Sequence, residues 1–255
     1  MSSIAIVQAR LGSSRLPNKV LMEIGASTVI ELIVNRLRKA ASVDRIVVAI
    51  PDNNENDFLA NFLTAKGIEF FRGDEHDVLS RFVKVFNRQS GLDILRVTAD
   101  CPLIEPKLVD ELFKIYKELN VDYAAIATGA GVLFSDKSKF PDGLDSEWVK
   151  SDALVDADKN AKSDLFREHA TSFIWHEDSP FSKYLHYSNI DYSSLSLTLD
   201  TPRDLEFFRE LVKTAQRELI EIEYQDVLSI CQCNNMLMMD RDNSQSYKEF
   251  YEESS

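Results

Sequence analysis

Over its first half the chain alternates short apolar runs with longer amphipathic ones: 4–9 then 28–41, 45–50 then 55–66, 69–71 then 77–89, and 93–98 then 107–119. The unbroken run Ile46-Val47-Val48-Ala49-Ile50 suits a strand covered on both faces, whereas Val29, Ile30, Leu32, Ile33, Leu37 and Ala40 recur near a 3.6-residue period. Repetition of strand and helix implies the α/β class, a three-layer, doubly wound and mostly parallel sheet. In such a sheet ligands sit beyond the carboxyl ends of the strands. The loop after the first strand and the segments beginning at Asp52, Arg72 and Asp100 therefore share one edge.

The alternation breaks after 122–126. From 128 to 192 the pattern is irregular, with Gly129, Gly131, Pro141, Gly143, Pro180, both tryptophans and one helical stretch at 151–161. This stretch reads as an insertion that closes over a substrate and carries a dimer contact. A strand at 195–199 and a helix at 202–217 then complete the main body, and a further helix follows at 224–233. Residues 1–233 are thus expected as one domain and 234–255 as a tail, acidic and polar from Asp240 to Ser255. A chain of 255 residues with 44% hydrophobic content can bury such a core.

The three cysteines, Cys101, Cys231 and Cys233, do not form a disulfide framework; the last two read as packing residues on a helix. A reducing, cytoplasmic setting is expected. No apolar run approaches the roughly 20 residues of a membrane span, and the N-terminus lacks a signal-peptide pattern. A formal net charge of -13 argues against a nucleic acid polymer as partner, which would need an extended basic surface.

Against that charge the loop from Gln8 to Leu21 is a positive island, with Arg10, Arg15 and Lys19 preceding the first acidic residue, Glu23. Gly12, Ser13 and Ser14 can offer backbone N–H groups and hydroxyls, a combination that suits a triphosphate. A solvated loop with scattered cations is the alternative, but the position directly after a buried-type strand favours phosphate.

Two segments resemble each other: Leu95-Arg96-Val97-Thr98-Ala99-Asp100-Cys101-Pro102 and Leu197-Thr198-Leu199-Asp200-Thr201-Pro202. Each is an apolar run ending in aspartate, with a proline two residues on that can open the next helix. Either aspartate alone reads as a helix N-cap. As a pair beside a cationic loop they read as ligands for Mg²⁺, which takes one or two carboxylates plus phosphate oxygens and water. Arg72 and Arg81 flank a turn and a helix start capped by Asp77; they can reach a base, ribose or phosphate, although Arg81 can equally pair with Asp77 across one turn. Asp142, Asp145 and Glu147, and later Arg167, Glu168 and His169, form polar clusters suited to a polyhydroxylated or carboxylated acceptor, or else an exposed charged helix face. His76, His176 and His186 show no zinc spacing.

Six motifs taken in order, Gln-Ala-Arg-Leu-Gly-Ser-Ser-Arg-Leu-Pro-Asn-Lys-Val-Leu, Arg-Gly-Asp-Glu-His-Asp-Val-Leu-Ser-Arg, Arg-Val-Thr-Ala-Asp-Cys-Pro-Leu-Ile, Asp-Gly-Leu-Asp-Ser-Glu, Arg-Glu-His-Ala-Thr and Leu-Asp-Thr-Pro-Arg-Asp-Leu, resemble the cytidylyltransferase family. Within it they are similar to the spore coat polysaccharide biosynthesis protein F group, related to synthetases of CMP-activated acidic sugars. The resemblance spans about residues 4–211. It implies a nucleotide-diphospho-sugar transferase fold that transfers CMP from CTP to a sugar or sugar-like acceptor with Mg²⁺, releasing pyrophosphate, in surface polysaccharide biosynthesis; the insertion at 128–192 separately favours a homodimer. By the same resemblance Ala9, Arg10, Leu11, Gly12, Ser13, Arg15, Lys19, Arg72, Arg81 and Thr98 would hold the nucleotide. Asp100 and Asp200 would hold the metal, and Asp142, Glu147, Arg167, Glu168 and His169 the acceptor. Arg10, Lys19, Asp100 and Asp200 would carry the catalysis. Asn18 and Gly25-Ala26-Ser27-Thr28 depart from the family pattern, without loss of charge. A glycosyltransferase using a nucleotide sugar and a non-catalytic nucleotide-binding module are the rival readings; the triphosphate-type loop and the intact Lys19, Asp100 and Asp200 argue against them.

Overall fold

The structure, a computed structural model, describes residues 2–128 and 137–234 and the backbone of a short strand at 239–240. Residues 241–255, most of the expected tail, lie outside the described residues. In chain order the elements are β1 (Ser3–Gln8), β2 (Glu23–Ile24), β3 (Ser27–Thr28), α1 (Val29–Leu37), β4 (Arg45–Pro51), α2 (Asp57–Ala65), β5 (Phe70–Gly73), α3 (Val78–Val85), β6 (Asp93–Thr98) and α4 (Pro106–Leu119). There follow β7 (Tyr123–Ile126), β8 (Glu147–Lys150), α5 (Ser151–Asn160), α6 (Asp164–Glu168), α7 (Ser172–Trp175), β9 (Lys183–His186), β10 (Leu195–Ser196), α8 (Pro202–Ala215), α9 (Tyr224–Asn234) and β11 (Met239–Asp240).

Seven strands form the central sheet in the order β5-β4-β1-β6-β8-β7-β9. Every neighbouring pair is parallel except the two made by β8. Because β8 runs against its neighbours, its first residue, Glu147, lies in register with Arg96 near the end of β6 and Ala125 near the end of β7. One reversed strand thus brings an acidic loop to the edge where the parallel strands finish. Two of the seven strands come from the stretch 128–192, so its described part is continuous with the sheet.

The strand period of two divides the core. Ile4 and Ile6 face α3, α5 and α7, whereas Ala5 and Val7 face α1, α2, α4, α8 and α9. These are the three layers expected from the alternation. Helix starts follow local chemistry: Thr28 and Glu31 cap α1 reciprocally, and Pro106 and Pro202 occupy first-turn positions where a missing N–H costs nothing. Two expectations change. Helix α4 opens at Pro106, not Pro102, and the run 195–199 supplies only the two-residue β10, which pairs with β11 outside the main sheet. Its alternating Leu195, Leu197 and Leu199 matched a strand pattern, but the seven-stranded sheet already ends on β9.

Arg36 of α1 joins distant parts of the α1 layer. It is 2% exposed and donates from Nε to the Ile104 carbonyl at 2.6 Å and from one terminal nitrogen to the Leu219 and Ile222 carbonyls, each at 3.0 Å. Its other terminal nitrogen meets the Glu105 carboxylate at 3.4 Å. Glu105 in turn caps α4 and accepts from the Tyr224 N–H, so one guanidinium holds α1, α4 and α9 together. Replacing it with an apolar side chain strands a buried carboxylate and three carbonyls. Arg36→Met is expected to lower unfolding stability by about 3–5 kcal/mol, measured by urea denaturation.

Candidate functional site

The loop after β1 is held from below. Ala9 donates to the Ala49 carbonyl at 3.1 Å, Leu11 donates to the buried Asn56 Oδ1 at 2.9 Å, and Leu11, Leu16 and Val20 are buried. The Leu11 carbonyl accepts from the N–H groups of Ser13 (2.8 Å) and Asn18 (3.1 Å), which curls the loop around that residue. Asn18 is left-handed, with φ 59°, immediately before the 3-10 turn Lys19–Leu21. Asparagine is among the few non-glycine residues that adopt this conformation readily. Its departure from the family pattern therefore preserves the turn. Arg10, Gly12, Ser14 and Arg15 are exposed, and among the described residues the N–H groups of Gly12 and Ser14 make no intramolecular hydrogen bond.

The turn delivers Lys19 between the twin aspartates. Its Nζ lies 3.1 Å from Asp100 Oδ2 and 2.9 Å from Asp200 Oδ1, and Arg15 reaches the other Asp200 oxygen at 3.0 Å. Residues 81 and 181 positions apart in sequence converge on one ammonium. Neither aspartate serves as a helix cap: Glu105 caps α4 and Thr201 caps α8. The two segments are locked directly, since Leu199 donates to the Asp100 carbonyl at 2.8 Å. Burial alone would disfavour both charges, but the two carboxylates raise the Lys19 pKa above its ordinary value. Against the same burial penalty, the Lys19 charge and a hydrogen bond from Thr98 hold Asp100 below the usual carboxylate range.

Arg81 is not the surface charge that pairing with Asp77 would make it. It is 2% exposed, and one terminal nitrogen donates to the Asp74 carbonyl at 2.6 Å. Burial and the nearby Arg10 charge push its pKa down to about 10. Gly73 makes room for it, because a Cβ there would lie 2.9 Å from Arg81 Cγ. Arg72 is committed elsewhere, to Asp52 (3.0 Å), Asp57 (2.7 Å) and the Asn53 carbonyl (2.8 Å), where it braces the β4–α2 loop. Thr98 ends β6 and contacts Cys101 Sγ at 3.3 Å. Gln8, in register with Thr98 at the end of β1, has a buried side-chain oxygen without a partner; a single polar residue at a strand end gave no signal for it.

The acceptor candidates divide. Asp142 exchanges backbone hydrogen bonds with Leu195 (3.0 Å) and Leu197 (2.7 Å), which lays its loop along the segment that ends in Asp200. Gly143 permits this approach, with φ 94° and a Cβ position only 2.5 Å from the Leu197 carbonyl carbon. Asp145, weighed with its neighbours but not singled out from sequence, accepts from Thr128 Oγ1 at 2.6 Å and the Gly143 N–H at 2.9 Å. Burial raises its pKa despite those bonds, with the Asp100 charge adding to the rise. Glu147 is held by Arg96 and by the Thr171 hydroxyl at 2.6 Å, and Arg96 and Glu147 both act on His169, whose imidazole is held below its ordinary range by desolvation and the Arg96 charge. Arg96 and Thr171 were not found from sequence, since a cation inside a strand and a threonine after a helix carry no pattern. Arg167 instead ties helices together, binding Asp77 at 2.7 Å and Asp158 at 2.6 Å. Glu168 is exposed. Cys231 is buried as expected of a packing residue, whereas Cys233 is exposed.

Among the described residues no three His, Cys, Asp or Glu side chains gather into a metal site of their own. Two carboxylates on one side of a cationic loop are nonetheless what Mg²⁺ uses when phosphates and water complete its shell. The donor set of Asp100 and Asp200 fits that ion. No helix among the described residues is long and apolar enough to cross a membrane.

A family model described as cytidylyltransferase matches residues 4–243. The spore coat polysaccharide biosynthesis protein SpsF of Bacillus subtilis is 31% identical over 217 residues, covering 82% of this chain and 86% of that protein. Among solved structures, a cytidylyltransferase from Leptospira borgpetersenii superposes with a TM-score of 0.80 at 24% identity, covering 97% of this chain and 99% of that one. A CMP:2-keto-3-deoxy-manno-octonic acid synthetase complexed with CTP superposes with a TM-score of 0.63 at 18% identity, covering 84% of this chain and 100% of that one.

The linked charges give a pH signature. Asp100, lowered in the folded state, contributes stability that is present above its ordinary value of 3.8 and is lost as pH falls through the folded value. Lys19, raised in the folded state, contributes stability that is present below 10.5 and is lost as pH rises through the folded value. The stability difference between the native chain and Lys19→Met should therefore be greatest at intermediate pH and shrink toward both the acid and the alkaline limit, as followed by urea unfolding across pH.

Proposed function

This chain belongs to the cytidylyltransferase family, and from that premise we propose that it transfers CMP from CTP to a sugar or sugar-like acceptor and releases pyrophosphate, in the biosynthesis of a surface polysaccharide or glycoconjugate. The observation that carries this reading is the convergence of Lys19 with Asp100 and Asp200 beside a loop with two unpartnered N–H groups.

An acceptor oxygen attacks the α-phosphorus, forming the new P–O bond as the bond to the β-phosphate oxygen breaks; the electron pair leaves with pyrophosphate and the acceptor proton passes to solvent. Such a transfer asks for positioning and charge stabilisation more than covalent work. Arg10, Arg15 and Lys19 bind the triphosphate and offset the charge that grows on the departing pyrophosphate, with the Gly12 and Ser14 N–H groups as further donors. Buried Arg81 and Thr98 serve the nucleotide side. Asp100 and Asp200 would hold Mg²⁺, which when bound supplies positive charge at the α-phosphate and acidifies a neighbouring hydroxyl. Asp142, Glu147 and His169 face the acceptor. The same reading takes the protein as a cytoplasmic homodimer; its net charge of -13 supports small anionic ligands over nucleic acid.

The test is a pyrophosphate-release screen with each of the four ribonucleoside triphosphates and a panel of sugars. Release from CTP with a sugar-like acceptor is expected. A nucleoside diphosphate or CMP freed from a nucleotide sugar, with no pyrophosphate, would establish the glycosyltransferase reading instead. Asp100→Asn should lose turnover with a modest loss of nucleotide affinity, and Lys19→Ala should slow turnover by about 10²-fold or more. Unchanged steady-state rates in both variants would overturn these roles.

A further inference from the structure

We propose that Asp204 is a positioning residue that sets the Asp200 carboxylate, a role that rests on the reading of Asp200 given above. Asp200 arrives on a segment outside the main sheet, since β10 stops at Ser196 and is paired with β11 and, by a single bridge at Ser196, with Asp142. No strand ladder fixes the aspartate. On one side the Leu199 N–H is held by the Asp100 carbonyl. On the other, Asp204 Oδ2 accepts from the N–H groups of both Asp200 and Thr201, each at 2.7 Å, from a side chain only 9% exposed.

The bond to Asp200 goes beyond what the helix requires. In a capping box the third helical residue returns one bond to the N–H of the cap, here Thr201, while the cap hydroxyl accepts from the N–H of that third residue. Helix α1 provides an internal comparison: Glu31 Oε2 accepts from the N–H of its cap Thr28 at 3.1 Å and from the Thr28 hydroxyl at 2.8 Å, while Oε1 meets Lys66 at 2.7 Å. The shorter Asp204 turns the same oxygen to the residue before the cap. It thereby restrains the backbone of Asp200, whose two carboxylate oxygens then face Lys19 and Arg15.

Two variants separate positioning from capping. Asp204→Glu rebuilds the box found in α1 and should keep the fold stable, yet its longer side chain should release the Asp200 N–H. Thr201→Ala removes the cap hydroxyl, which accepts from the Asp204 N–H at 3.3 Å, but leaves both Asp204 bonds in place. Crystal structures should show Asp200 withdrawn from Lys19 in Asp204→Glu and unmoved in Thr201→Ala. Electron paramagnetic resonance of Mn²⁺ with CTP should show affinity weakened about 10–100-fold in Asp204→Glu, with kcat falling more than the CTP KM rises. Thr201→Ala should melt at lower temperature with native Mn²⁺ affinity, and Asp204→Asn, whose carbonyl oxygen can accept both bonds, should restore binding. An unmoved Asp200 in Asp204→Glu, or equal losses of Mn²⁺ affinity in Asp204→Glu and Thr201→Ala, would overturn the proposal. If the native protein turned over no triphosphate, the catalytic reading would fail, while the crystallographic position of Asp200 would still decide what Asp204 does.

Discussion

A single ammonium held between two carboxylates is the contact on which the arrangement of this edge depends. Lys19 is carried by a loop after the first strand, Asp100 by the end of a neighbouring strand and Asp200 by a segment from the far end of the chain. Opposite charges offset part of the penalty of burying each, so the triad has a preferred closed geometry that none of the three segments has alone. The bond from Leu199 to Asp100 and the grip of Asp204 show that the main chain, and not the ion pairs alone, defines the spacing. Arg15, whose side chain is 65% exposed, adds charge to the group but little to its stability.

Around this triad the sheet supplies direction. Parallel strands place the cationic loop, the β4 and β5 ends and the Asp100 turn at one edge, and the reversed β8 adds Glu147 to it. Charges on the two sides are handled differently. The loop leaves Arg10 and Arg15 toward solvent, whereas Arg96 is neutralised by Glu147 and Arg167 by Asp77 and Asp158.

Reading the sequence located the elements that repeat a period and misjudged those that depend on partners. The helices α1, α2, α4 and α5 and the strands β1, β4 and β6 follow apolar spacing, which burial on one or both faces enforces. The run 195–199 has the same alternation, but its backbone bonds Asp142 and the Asp100 carbonyl and not a strand of the main sheet, while Leu197 and Leu199 pack into the core of the α1 layer. Arginines were the least legible residues. Arg72, Arg81 and Arg167 carry the same side chain, yet one braces a loop, one is buried beside Arg10 and one clamps helices. Their fates were decided by which carboxylates and carbonyls the fold brought near, and sequence spacing does not encode that. Asp145 was likewise distinguishable from Asp142 only once Thr128 and Gly143 were seen to hold it.

The sequence by itself determined the layered α/β architecture, the edge on which chemistry-bearing loops gather and the excess of positive charge in the first of them, because periodicity and local charge are properties of neighbouring residues. Only the tertiary structure decided that Lys19 meets both aspartates, that neither aspartate caps a helix and that an acidic side chain one turn into α8 holds the second in place. Those contacts join residues up to 181 positions apart, and attraction at such separations acts only after the sheet has brought the segments within a few ångströms.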